Sequence, residues 1–355
     1  MVSGWFGYPG DGAQEERWRH RFAGNSSVET FYENVQVDLY PMMDEYDSSD
    51  LKQSNISMPD GSYARFFSSA RPGNVLKHFE WMATYGTFYC CGITRRKFAV
   101  SYDIAGKNGN DVMARLKYDW MSLVDVKQIL DSSSYILQNG LPVLHVWGIG
   151  FGHINVTDTT GMQNLIDWLI SPAAGKYRVF LIGGVPYAWR TQGSNTRKEP
   201  EWKTIFESLD AIQPWHVGVY KNAADFDIFF NGTIANDVAY CKQKGIMYMP
   251  TMFPGFSCYS LKRQRNEILP INRIPRDAYK YVADPTIHTI YLGQFDEVDE
   301  GTDIFKVTAK TSELPLPTSG WLALDKDKYS LPSDWYPREV PLTDTIPLGP
   351  ASPTR

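Results

Sequence analysis

The stretch YLGQFDEVDEGTDIFKV, residues 291 to 307, sets Asp296, Glu297, Asp299, Glu300 and Asp303 within eight positions behind a short apolar run. Two carboxyl groups flanking a glycosidic bond can hydrolyse it, one as acid and the other as base or nucleophile, and their separation sets the geometry. Extended backbone would hold the Cα atoms of Glu297 and Glu300 roughly 10 Å apart with the side chains on opposite faces. A turn would bring them within about 7 Å and aim both at one ligand, and Gly301 eases such a turn. Crowding of like charges predicts that at least one of these carboxyls has a raised pKa, as a general acid requires. Two other readings stand beside catalysis: a solvated acidic loop and a Ca²⁺ site. The D-x-D-x-D-G spacing of a calcium loop is missing, which ranks the solvated loop above calcium.

Carboxylates at the end of a buried strand need a scaffold to aim them. From about residue 85 the sequence alternates apolar runs with amphipathic segments, the pattern of parallel strands joined by helices. Strands are expected over 85 to 92, 96 to 104, 141 to 151, 177 to 185, 211 to 220, 245 to 254 and 287 to 297. Helices are expected over 112 to 130, 161 to 170, 200 to 209 and 233 to 245, the last stopped by Gly245. One further strand at or just before GWFGYPGDG makes eight β/α units, so the predicted class is α/β with a (β/α)8 TIM barrel, left incomplete in this chain. A doubly wound sheet would carry a G-x-G-x-x-G loop after its first strand, and GYPGDG lacks that spacing.

In a β/α barrel the strand ends line one mouth, where active sites are built. Polar and aromatic residues collect there: Tyr102 and Asp103, Trp147, Trp189 and Arg190, Trp215, His216 and Tyr220, Phe256 in MFPGFS, then Asp296 and Glu297 to Glu300. Each alone is what any strand end meeting solvent would show; the succession is what points to a ligand.

Composition narrows the ligand class. The chain has 355 residues and a net charge of -5, which offers no field to attract nucleic acid. Aromatic residues make up 14%, with 11 Trp and 21 Tyr, which suits sites that stack flat apolar faces beside polar edges, as sugars require. Cys90, Cys91, Cys241 and Cys258 show no CxxC spacing, so no zinc site is expected. No apolar run is long enough to span a membrane, and MVSGWFGYPGDG has no signal-peptide pattern. Sequons at Asn25, Asn55, Asn155 and Asn231 fit a secreted glycoprotein. The expected organisation is a single catalytic domain over residues 1 to 340, its Pro-rich end docked through Trp321, Leu322, Leu324, Tyr329 and Trp335. Residues 341 to 355 are expected to be a disordered tail. A monomer that binds carbohydrate and needs no cofactor completes the expectation.

The segment FDEVDEGTDIFK resembles the strand-end motif of glycoside hydrolases of the family 71 and family 99 group, where Glu-x-x-Glu-Gly-Thr follows the last barrel strand. Endo-α-1,2-mannosidases of family 99 carry it as Glu-Trp-His-Glu-Gly, and other members of the group are labelled xylosidase or arabinosidase. GWFGYPGDGA, RWRHRF, DLYPMMDEY, HFEWMATYG, FAVSYDIAG, VWGIGFG, GGVPYAWRT, IQPWHVGVY, FPGFS and LPSDWY extend the resemblance from residue 4 to 336. It implies a (β/α)8 barrel and carbohydrate hydrolysis. Glu300 matches the general acid/base at the leaving oxygen, and Glu297 matches the residue that deprotonates a neighbouring sugar hydroxyl on the way to an anhydro-sugar intermediate. Tyr102, Asp103, Trp147, Trp189, Arg190, Trp215, Tyr220 and Phe256 match subsite-lining positions.

Two places are short against the group. Only CCG separates MATYGTFYC from ITRRKFAVSYD, below the roughly 10 residues of a βαβ crossover. INRIPRD runs at once into AYKYVADP, and the start lacks an evident first strand. Lost segments would expose strand edges, which makes a carbohydrate-binding protein without catalysis the alternative reading.

Overall fold

The computed structural model describes residues 4–13, 17–22, 35–85, 97–106, 109–257, 284–326 and 329–339. Most of the expected strand at 85 to 92, both short places and the 341–355 tail lie outside them, as do Asn25, Cys90, Cys91 and Cys258.

The N-terminal third contains no barrel strand among its described residues. Gly7 bridges antiparallel to Arg19, and the turn at GYPGDG is fixed by Asp11, which accepts from the backbone of Tyr8 and Ala13 and from Ser68 Oγ at 2.6 Å. That corrects the strand expected at this end. Beyond it an antiparallel hairpin, β1 (Leu51–Ser57) and β2 (Tyr63–Phe67), leads into α1 (Pro72–Thr84), which begins on a proline whose missing N–H costs a first turn nothing.

The α/β region follows. Strand β3 (Val100–Asp103) precedes α2 (Val112–Asp125), and a short β4 (Leu137–Gln138) folds back antiparallel on β5 (Leu141–Trp147). Then come α3 (Thr159–Ile170), β6 (Phe180–Pro186), α4 (Glu201–Glu207), β7 (Ala211–Trp215), α5 (Ala223–Phe229) and α6 (Ala235–Lys244). Helix α6 stops at Gly245, whose φ of 68° is the left-handed value that terminates helices. Two-residue strands β8 (Met247–Tyr248) and β9 (Thr251–Met252) lie either side of Pro250, and β10 (Tyr291–Leu292) pairs parallel with β9. Strands β3, β5, β6, β7 and β8 are parallel neighbours in chain order, and β9 carries the order on to β10. That unreversed order is the winding of a (β/α)8 barrel rather than of a doubly wound sheet, and the described residues supply six of its neighbouring positions.

The period of two along each strand sorts side chains to the two faces. Ser101, His145, Gln213 and Thr251 all point inward and bond across the lumen. Ser101 Oγ lies 2.7 Å from His145 Nδ1, His145 Nε2 lies 3.2 Å from Gln213 Oε1, and Gln213 Nε2 donates to Thr251 Oγ1. Burial pushes the His145 pKa down to about 4, so this ring is neutral and the chain of bonds carries no charge. Outward residues such as Leu144, Val146, Leu181 and Ile212 form the layer under the helices with Trp120, Trp202 and Phe206.

A second core is built mainly of rings. Phe6, Trp18, Phe22, Phe66, Phe67, Trp81, Phe295, Phe305 and Trp321 pack together, mostly edge to face, the geometry the ring quadrupole favours. The C-terminal segment docks here through buried Trp321, Leu322 and Leu324, while Tyr329 is exposed.

Candidate active site

The acidic stretch is a tight loop folded onto the second core. Tyr291 and Leu292 end the sheet, after which Gln294 N donates to Thr302 O, Thr302 N to Glu297 O and Phe305 N to Phe295 O. Gly301 turns the chain at φ 60°, and a Cβ there would approach Ser257 at 3.2 Å. Phe295, Val298, Ile304 and Phe305, interleaved with the acids, are buried in the ring core and draw the loop inward.

Asp296, Glu297, Asp299 and Asp303 are therefore at most 5% exposed, which overturns the solvated-loop reading. Glu297 finds no N–H or O–H donor for either oxygen. Burial, then the neighbouring carboxyl of Asp299, raises Glu297 well above the usual carboxyl range. For Asp299 burial works upward too, but Glu297 and the neighbouring His20 outweigh it and hold Asp299 below its usual value. Asp303, fully buried with neither oxygen bonded, is raised strongly by burial.

The buried cation facing this cluster is Arg21. Its guanidinium lies 4.3 Å from the Phe67 ring centroid and 4.6 Å from that of Phe6, and it donates to Phe67 O at 3.0 Å. Burial lowers its pKa only to about 10, so it stays charged. His78 Nδ1 stands 3.9 Å from Asp296 Oδ2, but burial pushes the His78 pKa down to about 3, so the pair is not a salt bridge; His78 Nε2 shares a hydrogen at 2.7 Å with Tyr46 Oη. Glu300 is only half-buried, and its carbonyl accepts from Ser257 N at 2.7 Å, which ties it to the Phe256 segment.

On the lumen side Trp147, Trp215 and Tyr291 stand side by side from β5, β7 and β10, with centroids 5.4 Å and 6.3 Å apart. Gly184 makes room: a Cβ there would strike Trp147. The phenol of Tyr291 is raised first by burial and then by the charges of Glu297 and Asp103. Asp103 ends β3 on the lumen face. Its side chain reaches solvent, and the surrounding protein raises its pKa.

The other expected lining residues lie elsewhere. Tyr102, one residue from Asp103, points outward and donates to Asp119 Oδ2 on α2 at 2.6 Å. Trp189 is 1% exposed, held edge-on between Phe206 of α4 and Tyr240 of α6, and Arg190 is paired with Asp237 of α6 at 2.6 Å. Tyr220 is buried among Phe226, Phe229 and Phe253. All four have partners within the fold, because strand-end position does not say which face a side chain takes. Asp296 is closed off in the interior beside His78. Asp103, Trp147, Trp215 and half-buried Phe256 remain, with Glu297 and Glu300. The structure adds Tyr291, His20 and Arg21, which the residue pattern did not single out. Tyr291 shares the inward face of its strand with Gly293, a readable signal; nothing in the spacing joins residues 20 and 21 to residue 299.

No protein-family model matches this sequence, and no curated protein does. The chain is similar in structure to the GH99 endo-alpha-mannosidase from Bacteroides thetaiotaomicron, with a TM-score of 0.58 and 12% identity over 96% of this chain and 94% of that one. A structure of the GH99 endo-alpha-mannosidase in complex with BIS-TRIS-propane gives a TM-score of 0.54 at 14% identity, with coverage of 96% and 94%. Both likenesses are of fold, and they agree with the barrel winding traced above. Neither supports the xylosidase or arabinosidase label.

Proposed function

We propose that the chain is a glycoside hydrolase acting with Glu297 and Glu300 on an oligosaccharide, with α-mannosides the first class to test. One observation carries the reading: a buried carboxyl crowded by other acids, three residues from a second, more accessible carboxyl, at the strand ends beside an aromatic wall. A raised pKa makes Glu297, once deprotonated, a stronger base than an ordinary carboxylate, as withdrawal of a sugar hydroxyl proton demands. Glu300, nearer solvent, protonates the leaving oxygen. Trp147, Trp215 and Phe256 offer faces to sugar rings, and Asp103 and Tyr291 offer hydrogen bonds. A single domain, monomeric and secreted, remains part of this proposal; Asn55, Asn155 and Asn231 are exposed.

The test is release of reducing ends from α-mannan, xylan and arabinan oligosaccharides by the parent, Glu297→Gln and Glu300→Gln, with binding followed by calorimetry. Each variant is expected to lose about 10²- to 10⁴-fold in kcat while binding survives. Binding without release by the parent would leave a carbohydrate-binding protein, and silence in both would sink the reading.

A further inference from the structure

Glu297 and Glu300 sit on one loop, but the backbone beside each is tied to a different part of the molecule. Next to Glu297, Val298 O accepts from Asp38 N at 3.0 Å and from Leu39 N at 3.3 Å, so the chain there is held by the N-terminal segment that packs among the rings. At Glu300 the carbonyl of the residue itself accepts from Ser257 N at 2.7 Å, at the short end of amide hydrogen bonds. Ser257 is 1% exposed, so water does not compete for that bond.

The segment that ends in Ser257 comes from the sheet. It leaves β9 through buried Phe253, Pro254 and Gly255, and Phe253 packs on Tyr220 with centroids 4.9 Å apart. The ring of Phe256 then lies on the bare backbone of Gly218, three residues beyond Trp215. A Cβ on Gly218 would stand 2.9 Å from that ring, and φ there is 73°. At the other end Gly301, with φ 60°, turns its own bare backbone to Ser257, where a Cβ would come within 3.2 Å of Ser257 Cβ and 3.3 Å of its nitrogen. Two left-handed glycines thus grip one dipeptide, and a side chain on either would push against it.

We propose that Ser257 is the positioning residue of Glu300, and that Phe256 and Ser257 form a strut setting the height of that carboxyl against the aromatic wall. The proposal rests on the reading of Glu300 as the acid. An acid must meet the leaving oxygen within hydrogen-bond reach, and misplacement by about 1 Å can cost on the order of 10²-fold. The strut fixes the backbone from which the half-buried Glu300 side chain starts. Ser257, being buried, acts through Glu300 and not on the sugar. Its loss should therefore be felt where the proton is needed: a phenolate leaving group needs it, and a 2,4-dinitrophenolate departs without it.

The experiment uses the full chain as parent, Glu300→Gln, Gly301→Ala, Ser257→Gly and the double variant of the last two. Phenyl and 2,4-dinitrophenyl α-mannobiosides are the substrates, and exchange of the Ser257 amide with D2O is followed by NMR. Gly301→Ala is expected to lower kcat on the phenyl substrate roughly tenfold with KM unchanged, and on the dinitrophenyl substrate less than about twofold. Ser257→Gly removes the atom that the new methyl meets, so the double variant should recover most of the loss. The Ser257 amide should exchange slowly in the parent and faster in Gly301→Ala. Equal loss on both substrates, a double variant no better than Gly301→Ala, or an amide as fast in the parent as in Gly301→Ala would each overturn the strut. If the parent releases neither phenol, or Glu300→Gln loses both equally, the acid reading falls, and amide exchange alone then decides whether Ser257 holds the loop.

Discussion

Two polar clusters are buried in this molecule within reach of the same strands, and they are in opposite condition. The lumen chain from Ser101 through His145 and Gln213 to Thr251 is neutral and bonded link by link. Among the described residues, the acidic loop holds Glu297 and Asp303 with no donor on their oxygens, and Arg21 is the fully buried arginine whose charge acts on the cluster. A satisfied buried network rigidifies and specifies a fold, whereas unsatisfied buried charge is a standing cost. Stability alone does not account for the second cluster; the proposed catalytic role does.

That contrast can be broken in three places. Arg21→Met removes a fully buried charge that acts on Asp296 and Asp299 and rests against Phe6 and Phe67, a loss of about 3–5 kcal/mol expected in urea unfolding. A loss no larger than that of an exposed arginine would mean that the cluster is neutral throughout. Gln213→Ala breaks the lumen chain and takes one partner each from His145 and Thr251, at a cost of about 1–3 kcal/mol, with little change in the ionisation of the site. If the pH dependence of sugar release shifts with it, the two clusters are one system.

The smallest change runs the other way. Asp303 has a folded pKa above its ordinary value of 3.8, so the folded state binds its proton more tightly. Stability from this group is full below that ordinary value and drains away as pH rises towards the folded value. Asp303→Asn removes the drain, and at neutral pH it should be more stable than the parent by about 1 kcal/mol, the gap closing in acid. Melting curves across pH decide it, since a gap that stays constant would mean packing rather than ionisation.

The strands and helices were legible because apolar period and breakers are local: α3 was expected from residue 161 and begins at Thr159, and Gly245 ends α6 as expected. Helix α5 and the hairpin of β1 and β2 were not foreseen, being short and weakly periodic. The turn at Gly301 and a raised carboxyl in the stretch were readable from residue type. Its burial is readable too, in the interleaved Phe295, Val298, Ile304 and Phe305. Asp103 and Tyr102 could have been sorted by the strand's alternation. His20 meeting Asp299 could not, because a contact across most of the chain leaves no mark on either segment.

Within three residues the backbone passes from one core to the other, Ile290 packing under the helices and Leu292 against the rings. The aromatic wall is thus fixed by one assembly and the carboxylates by another. On the proposed reading, every distance between a sugar seated on Trp147 or Trp215 and the oxygens of Glu297 is a sum of two placements, like a gap between parts cast in separate moulds. Substitutions along that seam are then expected to retune reach and substrate length while leaving each part intact, with residues 290 to 295 as the adjusting screw.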